Sequence, residues 1–91
     1  AISTDKIIVD DGYVGDGYGL PAASTLEAIT VAAQFEGLLL DPVYSAKGFA
    51  GLLGMAKAGF FKPSDNVLFL HTGGSVALFA YETLLAQSTS A

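Results

Sequence analysis

The sequence predicts an α/β fold of three layers, in which helices cover both faces of an open, mainly parallel sheet. Three short apolar segments alternate with three helical patterns along the chain, and this alternation is typical of α/β proteins. Two of the apolar segments, residues 38–40 and 67–70, contain no polar residue. Uninterrupted apolar strands are typical of parallel sheets, because both of their faces are buried.

The first predicted strand covers residues 6–9, where two isoleucines and a valine are β-branched. Residues 10–19, which we call the glycine loop, follow it and contain four glycines. Glycine allows a backbone to approach a ligand closely. The spacing of these glycines, however, is neither that of a P-loop nor that of a dinucleotide-binding fingerprint, so we expect no phosphate cradle in this loop.

The first predicted helix begins at a capping box over residues 24–27, in which the Ser24 and Glu27 side chains would satisfy backbone amides. It ends near Glu36, because Gly37 is typical of the position that follows a helix. Its apolar face is predicted to consist of Leu26, Ile29, Ala33 and Phe35.

The second predicted helix extends from about Ser45 to about Gly59. Three glycines fall at every third position along it, which costs helix propensity but leaves one face smooth. We expect another backbone to pack closely on that face. The last helix is predicted to be capped by Ser75 and to continue through Leu84, before a polar tail at residues 87–91 that frays.

The length of the chain limits the number of domains, and its composition indicates a large apolar surface. In 91 residues there is room for one domain at most, yet 52% of the residues are hydrophobic and only 14% are charged. A small globule needs more charge than this to cover its surface. Either the chain hides apolar area against something else, or it belongs to a larger body.

Several classes of function have little support in the sequence. Four lysines, no arginine and a net charge of −5 argue against nucleic-acid binding, which needs a basic patch. No apolar run approaches the ~20 residues of a membrane span. The absence of cysteine excludes disulfides and cysteine-ligated zinc and is compatible with the cytoplasm. One histidine without a ligand cluster predicts no metal site.

Polar side chains concentrate where one of the predicted strands ends. Tyr44, Ser45 and Lys47 closely follow the segment 38–40, at the switch from a strand to a helix. In open α/β sheets, ligands bind at the carboxyl ends of the strands. We therefore expect these side chains to lie at a binding site.

Three motifs resemble those of the 1-aminocyclopropane-1-carboxylate deaminase/D-cysteine desulfhydrase family. They are DPVYSAK at residues 41–47, GYVGDGYG at residues 12–19 and LHTGG at residues 70–74, in the order of the family and at about its spacing. The resemblance implies a pyridoxal 5'-phosphate enzyme of tryptophan-synthase-β-like fold, in which residues 1–91 are the C-terminal part of a larger catalytic domain without a separate second domain. It further implies a cytoplasmic protein that is a homodimer when intact.

The same resemblance implies roles for six residues. Tyr44 would face the cofactor and the substrate amino group, and Tyr18 would reach the substrate, so both are candidate catalytic residues. The candidate cofactor-binding residues are Ser45, Thr72, Gly73 and Gly74. From the residues alone, simpler interpretations stay open: packing aromatics for the two tyrosines, a helix N-cap for the serine and a polar strand exit for the threonine.

Lys47 is not expected to be the Schiff-base lysine, because the family places that residue in an Asn-Lys motif that this chain lacks. A lysine at the start of a helix lies at the unfavourable end of the helix dipole, so we expect a carboxylate partner, with Asp41 as the candidate. The resemblance thus implies that the remainder of the same polypeptide supplies the Schiff-base lysine and that the isolated chain is inactive. We expect His71 to be a hydrogen-bonded loop residue and Tyr13 to be a packing residue.

Two residues favour one substrate within the resembling family. Ser45 stands where ring-opening deaminases have glutamate, and Thr72 stands where they tend to have leucine. A neutral hydroxyl near the pyridine nitrogen favours a weaker electron sink, which suits rapid β-elimination of sulfide. The resemblance therefore favours D-cysteine as the small amino-acid substrate, with pyruvate, hydrogen sulfide and ammonia as products. The alternatives are a 1-aminocyclopropane-1-carboxylate deaminase, a cysteate sulfo-lyase and, in another class, an inactive structural fragment.

Overall fold

The computed structural model describes the backbone of residues 3–89 and the side chains of residues 3–87. Three α-helices carry the described part of the chain: α1 (Ala23–Glu36), α2 (Ser45–Lys57) and α3 (Glu82–Thr89). Two 3₁₀ helices, Thr4–Lys6 and Ser75–Tyr81, complete the order of elements. None of these helices is long and apolar enough to cross a membrane.

The three predicted strands are not formed in the structure, and residues 3–89 contain no β-strand. Residues 6–9, 38–40 and 67–70 are irregular connections, so the predicted open sheet is absent from the described residues. A strand is stabilised by its neighbours, and these segments do not pair with one another through backbone ladders. The segment 38–40 is instead joined to the loop that follows residues 67–70, since His71 and Ser75 both hydrogen bond to the carbonyl oxygen of Leu39.

Helix α1 begins earlier than the predicted capping box. It starts at Ala23, and the hydroxyl of Thr25 accepts a hydrogen bond from the backbone N–H of Ala22 at 3.1 Å. The prediction for residues 24–27 is therefore wrong, and Glu27 instead forms an ion pair with Lys57 of α2 at 3.2 Å. The predicted end of the helix is confirmed, because Gly37 has a left-handed backbone (φ 62°).

The packing between α1 and α2 uses small residues more than the sequence pattern indicated. The buried residues of α1 are Thr25, Ala28, Ile29 and Ala32, and those of α2 are Ser45, Ala46 and Ala50. Phe35, which the predicted face included, is 77% exposed. Most of these residues have small side chains, which let two helices approach closely, and Ile29 is the large apolar residue among them.

The glycine-rich face of α2 packs against an aromatic ring, whereas we expected a backbone there. A Cβ atom at Gly51 would lie 3.5 Å from the ring of Tyr13, and one at Gly54 would lie 1.8 Å from its hydroxyl oxygen. Any side chain at Gly54 would therefore displace the ring. This contact confirms Tyr13 as a packing residue and ties the glycine loop to the middle of α2.

The core is small, and much apolar surface stays outside it. Ile29, Ala32, Leu40 and Ala46 form the buried cluster, to which Phe49 and Phe69 add half-buried rings that meet edge to face. Val9 is 88% exposed and Leu68 is 92% exposed. The composition predicted such a surplus of apolar area, which the described part of the chain does not bury by itself.

The last predicted helix differs at its start. Ser75 is the first residue of the 3₁₀ helix and Gly74 precedes it as the N-cap, so the predicted cap is displaced by one residue. The Ser75 hydroxyl donates instead to Leu39, at 3.1 Å. At the other end α3 extends to Thr89, and residues 90–91 lie outside the described part, so the fraying of residues 87–91 stays a prediction.

Candidate active site

A buried carboxylate organises the start of α2. Asp41 has no exposed surface, and its carboxylate oxygens accept hydrogen bonds from the backbone N–H groups of Val43 (2.9 Å), Tyr44 (2.7 Å) and Ser45 (3.0 Å). Amides at the start of a helix lack partners within the helix, and a preceding acidic side chain can satisfy them. Tyr44 is the N-cap of α2, and Asp41 stabilises the turn that leads into the helix by binding the amides of this turn and of the first helical residue.

Ser45 does not cap the helix, so the simpler interpretation of that residue is wrong. It is the first residue of α2, and its hydroxyl donates to Asp41 Oδ1 at 2.6 Å. Ser45 Oγ in turn accepts a hydrogen bond from the Asp41 backbone N–H at 2.8 Å. Ser45 is 5% exposed, so the pair forms a closed, buried polar unit.

The environment of Asp41 keeps its carboxyl group ionised. Burial raises the pKa of this group, but the hydrogen bonds from the Ser45 hydroxyl and from the amides of Ser45, Tyr44 and Val43 together outweigh burial. The net result is a pKa below the ordinary value of 3.8. The aspartate therefore carries its charge at neutral pH, where it complements the positive end of the α2 dipole.

The loop of residues 71–75 lies directly on this turn. Gly74 has a φ of 93°, and a Cβ atom there would lie 2.8 Å from Asp41 Oδ1. Both its conformation and its contact with the carboxylate require a glycine. His71 Nε2 lies 3.0 Å from the carbonyl oxygen of Leu39, which confirms the histidine as a hydrogen-bonded loop residue.

This contact brings two further predicted residues to the turn that carries Tyr44. Thr72 is exposed, and Gly73 has a φ of 113° with open space where a Cβ atom would stand. Both belong to the loop that is held against Asp41. The loop and the tyrosine turn therefore share one buried support, although Tyr44 and Thr72 are separated by 27 residues in the sequence.

The two predicted tyrosines meet through their hydroxyl groups. The oxygen atoms of Tyr18 and Tyr44 lie 2.5 Å apart, and the ring centroids lie 5.8 Å apart in an edge-to-face arrangement. The side chains are 78% and 58% exposed, so the pair is presented at the surface. The structure thus joins residues that the motifs had placed in separate segments.

The surroundings favour the protonated form of Tyr44. Its hydrogen bond with Tyr18 raises the pKa of Tyr44, and desolvation and the nearby Tyr18 and Asp41 groups raise it further. The phenol therefore keeps its proton at neutral pH. In that state it can donate a hydrogen bond, and either hydroxyl can be the donor in the contact with Tyr18.

Lys47 and Tyr81 hold the glycine loop in place. Lys47 Nζ donates to the carbonyl oxygens of Val14 at 2.6 Å and Gly17 at 3.0 Å. The predicted pairing of Lys47 with Asp41 is wrong, because the amides of α2 already fill the carboxylate. Tyr81 donates to the carbonyl oxygen of Gly19 at 2.6 Å.

Sequence reasoning missed the roles of Asp41 and Tyr81 for different reasons. An aspartate shortly before a predicted helix is a known N-terminal signal, so its role at the start of α2 could have been found. The Tyr81 contact joins residues 62 positions apart. No local signal in the sequence indicates that contact.

The described residues contain two other features that bear on ligand binding. No group of three acidic, histidine or cysteine side chains among them could hold a metal ion. An open groove of about 650 Å³ runs along α2, with Tyr18 and Lys47 at its edge. Its other lining residues are mainly apolar and do not include the loop of residues 71–75. Tyr18 therefore belongs both to the groove and to the tyrosine pair, whereas Tyr44 does not line the groove.

Comparison with known proteins agrees with the resemblance in the motifs. The family model of pyridoxal-phosphate dependent enzymes matches residues 1–73. The 1-aminocyclopropane-1-carboxylate deaminase of Burkholderia multivorans is 42% identical over 86 residues, which are 94% of this chain and 25% of that protein. The enzymes of that name from Burkholderia vietnamiensis and Burkholderia cenocepacia are each 45% identical over 80 residues, which are 88% of this chain and 24% of theirs.

These relatives confirm the predicted recognition at the level of the family and its cofactor. This chain spans about a quarter of the length of the curated relatives it matches. The match to the family model, in contrast, covers most of the chain and includes the glycine loop and the turn around Asp41. The chain belongs to the family of pyridoxal-phosphate dependent enzymes.

Proposed function

We propose that this chain forms part of the substrate pocket of a pyridoxal-phosphate enzyme that deaminates a small amino acid to a 2-oxo acid and ammonia. The hydroxyl pair of Tyr18 and Tyr44 carries the proposal, because its members are exposed and lie 2.5 Å apart. Tyr44 stands on the turn that also supports the loop of residues 71–75, and Tyr18 reaches it from the glycine loop. Family membership supports the cofactor, and the names of the relatives support deamination.

The residues at the turn fit one edge of a cofactor ring. Gly73 leaves open space where a side chain would stand, and Thr72 beside it has an exposed side chain. Thr72, Gly73 and Gly74 are the residues that would hold the cofactor. When bound, pyridoxal phosphate supplies the electron sink for the charge that develops at the substrate α-carbon.

The tyrosine pair supplies a positioned proton. Tyr44 carries that proton on its phenol oxygen at neutral pH, since the ordinary pKa of a tyrosine is 10.0 and the hydrogen bond with Tyr18 raises the pKa of Tyr44 further. A donor of this kind can bind the substrate amino or carboxylate group and can protonate a reacting atom. The bond from the Tyr44 amide to Asp41 keeps the backbone of that donor in place, at 2.7 Å.

The first candidate substrate is 1-aminocyclopropane-1-carboxylate. The relatives that carry this name are 42–45% identical to the chain over most of its length. Adding one water to this substrate yields 2-oxobutyrate and ammonia, so the reaction needs no oxidant or reductant. On this proposal the tyrosine pair binds the substrate and delivers a proton as the ring opens.

The second candidate is the β-elimination of D-cysteine to pyruvate, hydrogen sulfide and ammonia. The neutral side chains of Ser45 and Thr72 favour it, as the resemblance implies. In the structure the Ser45 hydroxyl proton is directed to Asp41 and is not available to a ring nitrogen. Thr72, which is exposed, is therefore the stronger support for this substrate.

The proposal concerns the cofactor-loaded enzyme and includes the homodimer that the resemblance implies. Both candidate substrates release a 2-oxo acid, so one assay covers both. Formation of 2-oxobutyrate from the cyclopropane amino acid, without sulfide from D-cysteine, would support the first candidate. Sulfide together with pyruvate would support the second. Failure to release ammonia from either amino acid would contradict the proposal.

A variant of Tyr44 tests the residue that carries the proposal. We expect Tyr44→Phe to lower kcat/KM by roughly 100-fold, because a positioned proton donor contributes about 100- to 10,000-fold. Tyr13→Phe is the matched control, since it removes a phenol oxygen from a ring that packs on Gly51 and Gly54. Equal activity of the two variants would rule out the proposed role of Tyr44.

A further inference from the structure

The ammonium group of Lys47 binds backbone carbonyl oxygens of the glycine loop. Two of its three N–H groups donate to the carbonyl oxygens of Val14 and Gly17. Among residues 3–87 the ion pair that forms is that of Lys57 with Glu27, so no described carboxylate lies within ion-pair distance of Lys47. The lysine therefore contacts the glycine loop where a salt bridge was expected.

The glycine loop has few bonds of its own. Within it, Val14 N–H reaches the carbonyl oxygen of Asp11 at 3.4 Å, and Leu20 N–H reaches that of Gly17 at 3.2 Å. Left-handed backbone at Gly15 (φ 72°) and a φ of 147° at Gly17 shape the turn that presents two carbonyl oxygens to one ammonium group. The two bonds from Lys47 are thus a main restraint on this part of the loop.

The position of Lys47 relative to Tyr44 gives this restraint a consequence for the site. The two residues are three positions apart at the start of α2, so they lie on the same side of the helix. The lysine binds the carbonyl oxygen of Gly17, and the next residue, Tyr18, meets the Tyr44 hydroxyl. Lys47 and Tyr44 therefore contact two consecutive residues of the loop, Gly17 and Tyr18.

Burial does not hold Tyr18 at this position. Its side chain is 78% exposed, so few packing contacts determine where the ring stands. Backbone anchors flank it instead, with Lys47 on the carbonyl oxygen of Gly17 and Tyr81 on that of Gly19. The placement of the Tyr18 hydroxyl follows from these anchors.

We propose that Lys47 is a positioning residue for the reaction, because it closes the glycine loop and holds the Tyr18 hydroxyl against that of Tyr44. This inference rests on the proposed function, in which the tyrosine pair acts on the substrate. Lys47 contacts neither the substrate nor the cofactor in this role. It acts only through the loop.

The first test measures the loop without measuring activity. Backbone amide hydrogen exchange is followed by mass spectrometry in the cofactor-loaded enzyme and its Lys47→Met variant. We expect exchange in residues 12–20 to become about tenfold faster, because two charge-assisted bonds to the loop are lost, while α1 exchanges as before. Unchanged exchange in the loop would overturn the inference.

Two further variants separate the loop contact from the charge. Lys57→Met removes a positive charge from the same helix at an exposed position, so we expect it to leave exchange in the loop unchanged. Lys47→Arg keeps the charge and the N–H donors, and we expect it to restore most of the protection. If Lys47→Met and Lys57→Met accelerated amide exchange in the glycine loop equally, a specific role of Lys47 would be contradicted.

A double-mutant cycle then tests whether Lys47 acts through Tyr18. We expect Lys47→Met to lower kcat/KM by about tenfold, and to have little further effect when Tyr18 is already phenylalanine. Additive losses would overturn the positioning role. A Tyr18→Phe variant with full activity would also overturn it, whereas the proposed function would still stand if Tyr44→Phe remained inactive.

Discussion

Tyr44 and Tyr18 meet at a single hydroxyl contact, yet the chain holds them in opposite ways. Tyr44 belongs to a turn whose backbone amides bind the buried carboxylate of Asp41. Tyr18 belongs to a glycine loop that is held by the ends of two long side chains, Lys47 and Tyr81. The first arrangement spans five residues, whereas the second joins elements that are far apart in the sequence.

We call the turn of residues 41–45 the firm half of the site and the glycine loop of residues 10–19 the compliant half. Asp41 is buried and its partners follow it closely in the sequence, so little chain entropy is lost when they come together. The bonds to the glycine loop form at a partly solvated surface and close much longer segments of chain. We therefore expect the loop to open before the turn does, and each prediction below tests one side of this contrast.

The largest expected effect follows the loss of the carboxylate. Asp41→Ala leaves the amides of Val43, Tyr44 and Ser45 and the Ser45 hydroxyl without the carboxylate that accepts their hydrogen bonds. We expect the free energy of unfolding to fall by about 3 kcal/mol, measured by urea denaturation of the cofactor-loaded enzyme.

The matched control for that variant is Asp65→Ala. Asp65 also accepts a backbone hydrogen bond, from the Lys62 N–H at 2.8 Å, but it does so in an exposed turn. We expect a cost of about 0.5–1 kcal/mol for this control. Equal costs for the two variants would show that Asp41 does not organise the firm half.

The next largest effect is expected from a substitution of Gly74, because this residue packs the loop of residues 71–75 against Asp41. Gly74→Ala combines a left-handed backbone with a contact of 2.8 Å between the new Cβ atom and the carboxylate oxygen. We expect the free energy of unfolding to fall by about 2 kcal/mol. Gly59→Ala is the control, since Gly59 shares the left-handed backbone (φ 77°) but has nothing within 4 Å.

We expect the control to lose only about 1 kcal/mol, because its strain is confined to the backbone. The difference between Gly74→Ala and Gly59→Ala measures the contact with Asp41. If the two variants were equally stable in urea denaturation, the steric argument for Gly74 would fail.

Acidification tests the charge on Asp41 itself. The pKa of this group is below 3.8 in the folded state, so its contribution to stability is complete above that value and is lost as the pH falls through the folded-state pKa. We expect Asp41→Asn to be less stable than the unmodified enzyme at about pH 7. The gap should shrink as the pH approaches about 3. A gap that is constant in urea denaturations across this range would contradict the assignment.

The smallest expected effect belongs to the compliant half. Tyr81→Phe removes one hydrogen bond, to the carbonyl oxygen of Gly19, and keeps the ring. We expect a cost of about 1 kcal/mol and faster amide exchange that is confined to the glycine loop. Tyr13→Phe serves as its control. Faster exchange at the start of α2 as well would show that the two halves are not independent.

The sequence predicted the helices better than the strands for a physical reason. Helix periodicity and the terminating glycine are local signals, and α1 and α2 were placed within about two residues of their observed ends. A strand depends on partners elsewhere in the chain, and residues 38–40 have none in a ladder within the described part. The predicted sheet, with its tryptophan-synthase-β-like architecture, therefore stays a prediction for the family fold.

Some features of the site followed from the sequence alone. The motifs at residues 12–19, 41–47 and 70–74 determined the family and the candidate residues, because reactive side chains and glycines recur at defined spacings. The left-handed backbone at glycines is likewise a local property of the sequence, because a residue with a Cβ atom is strained in that conformation.

Only the tertiary structure decided how the candidates are held. It assigned Asp41 to the amides of α2 instead of to Lys47, and it assigned Lys47 to the glycine loop. A carboxylate or an ammonium group has several possible partners in a sequence, and the geometry of the folded chain determines which are within hydrogen-bond distance. The contact of Tyr18 with Tyr44 has the same origin, because it exists only when the loop and the helix are brought together.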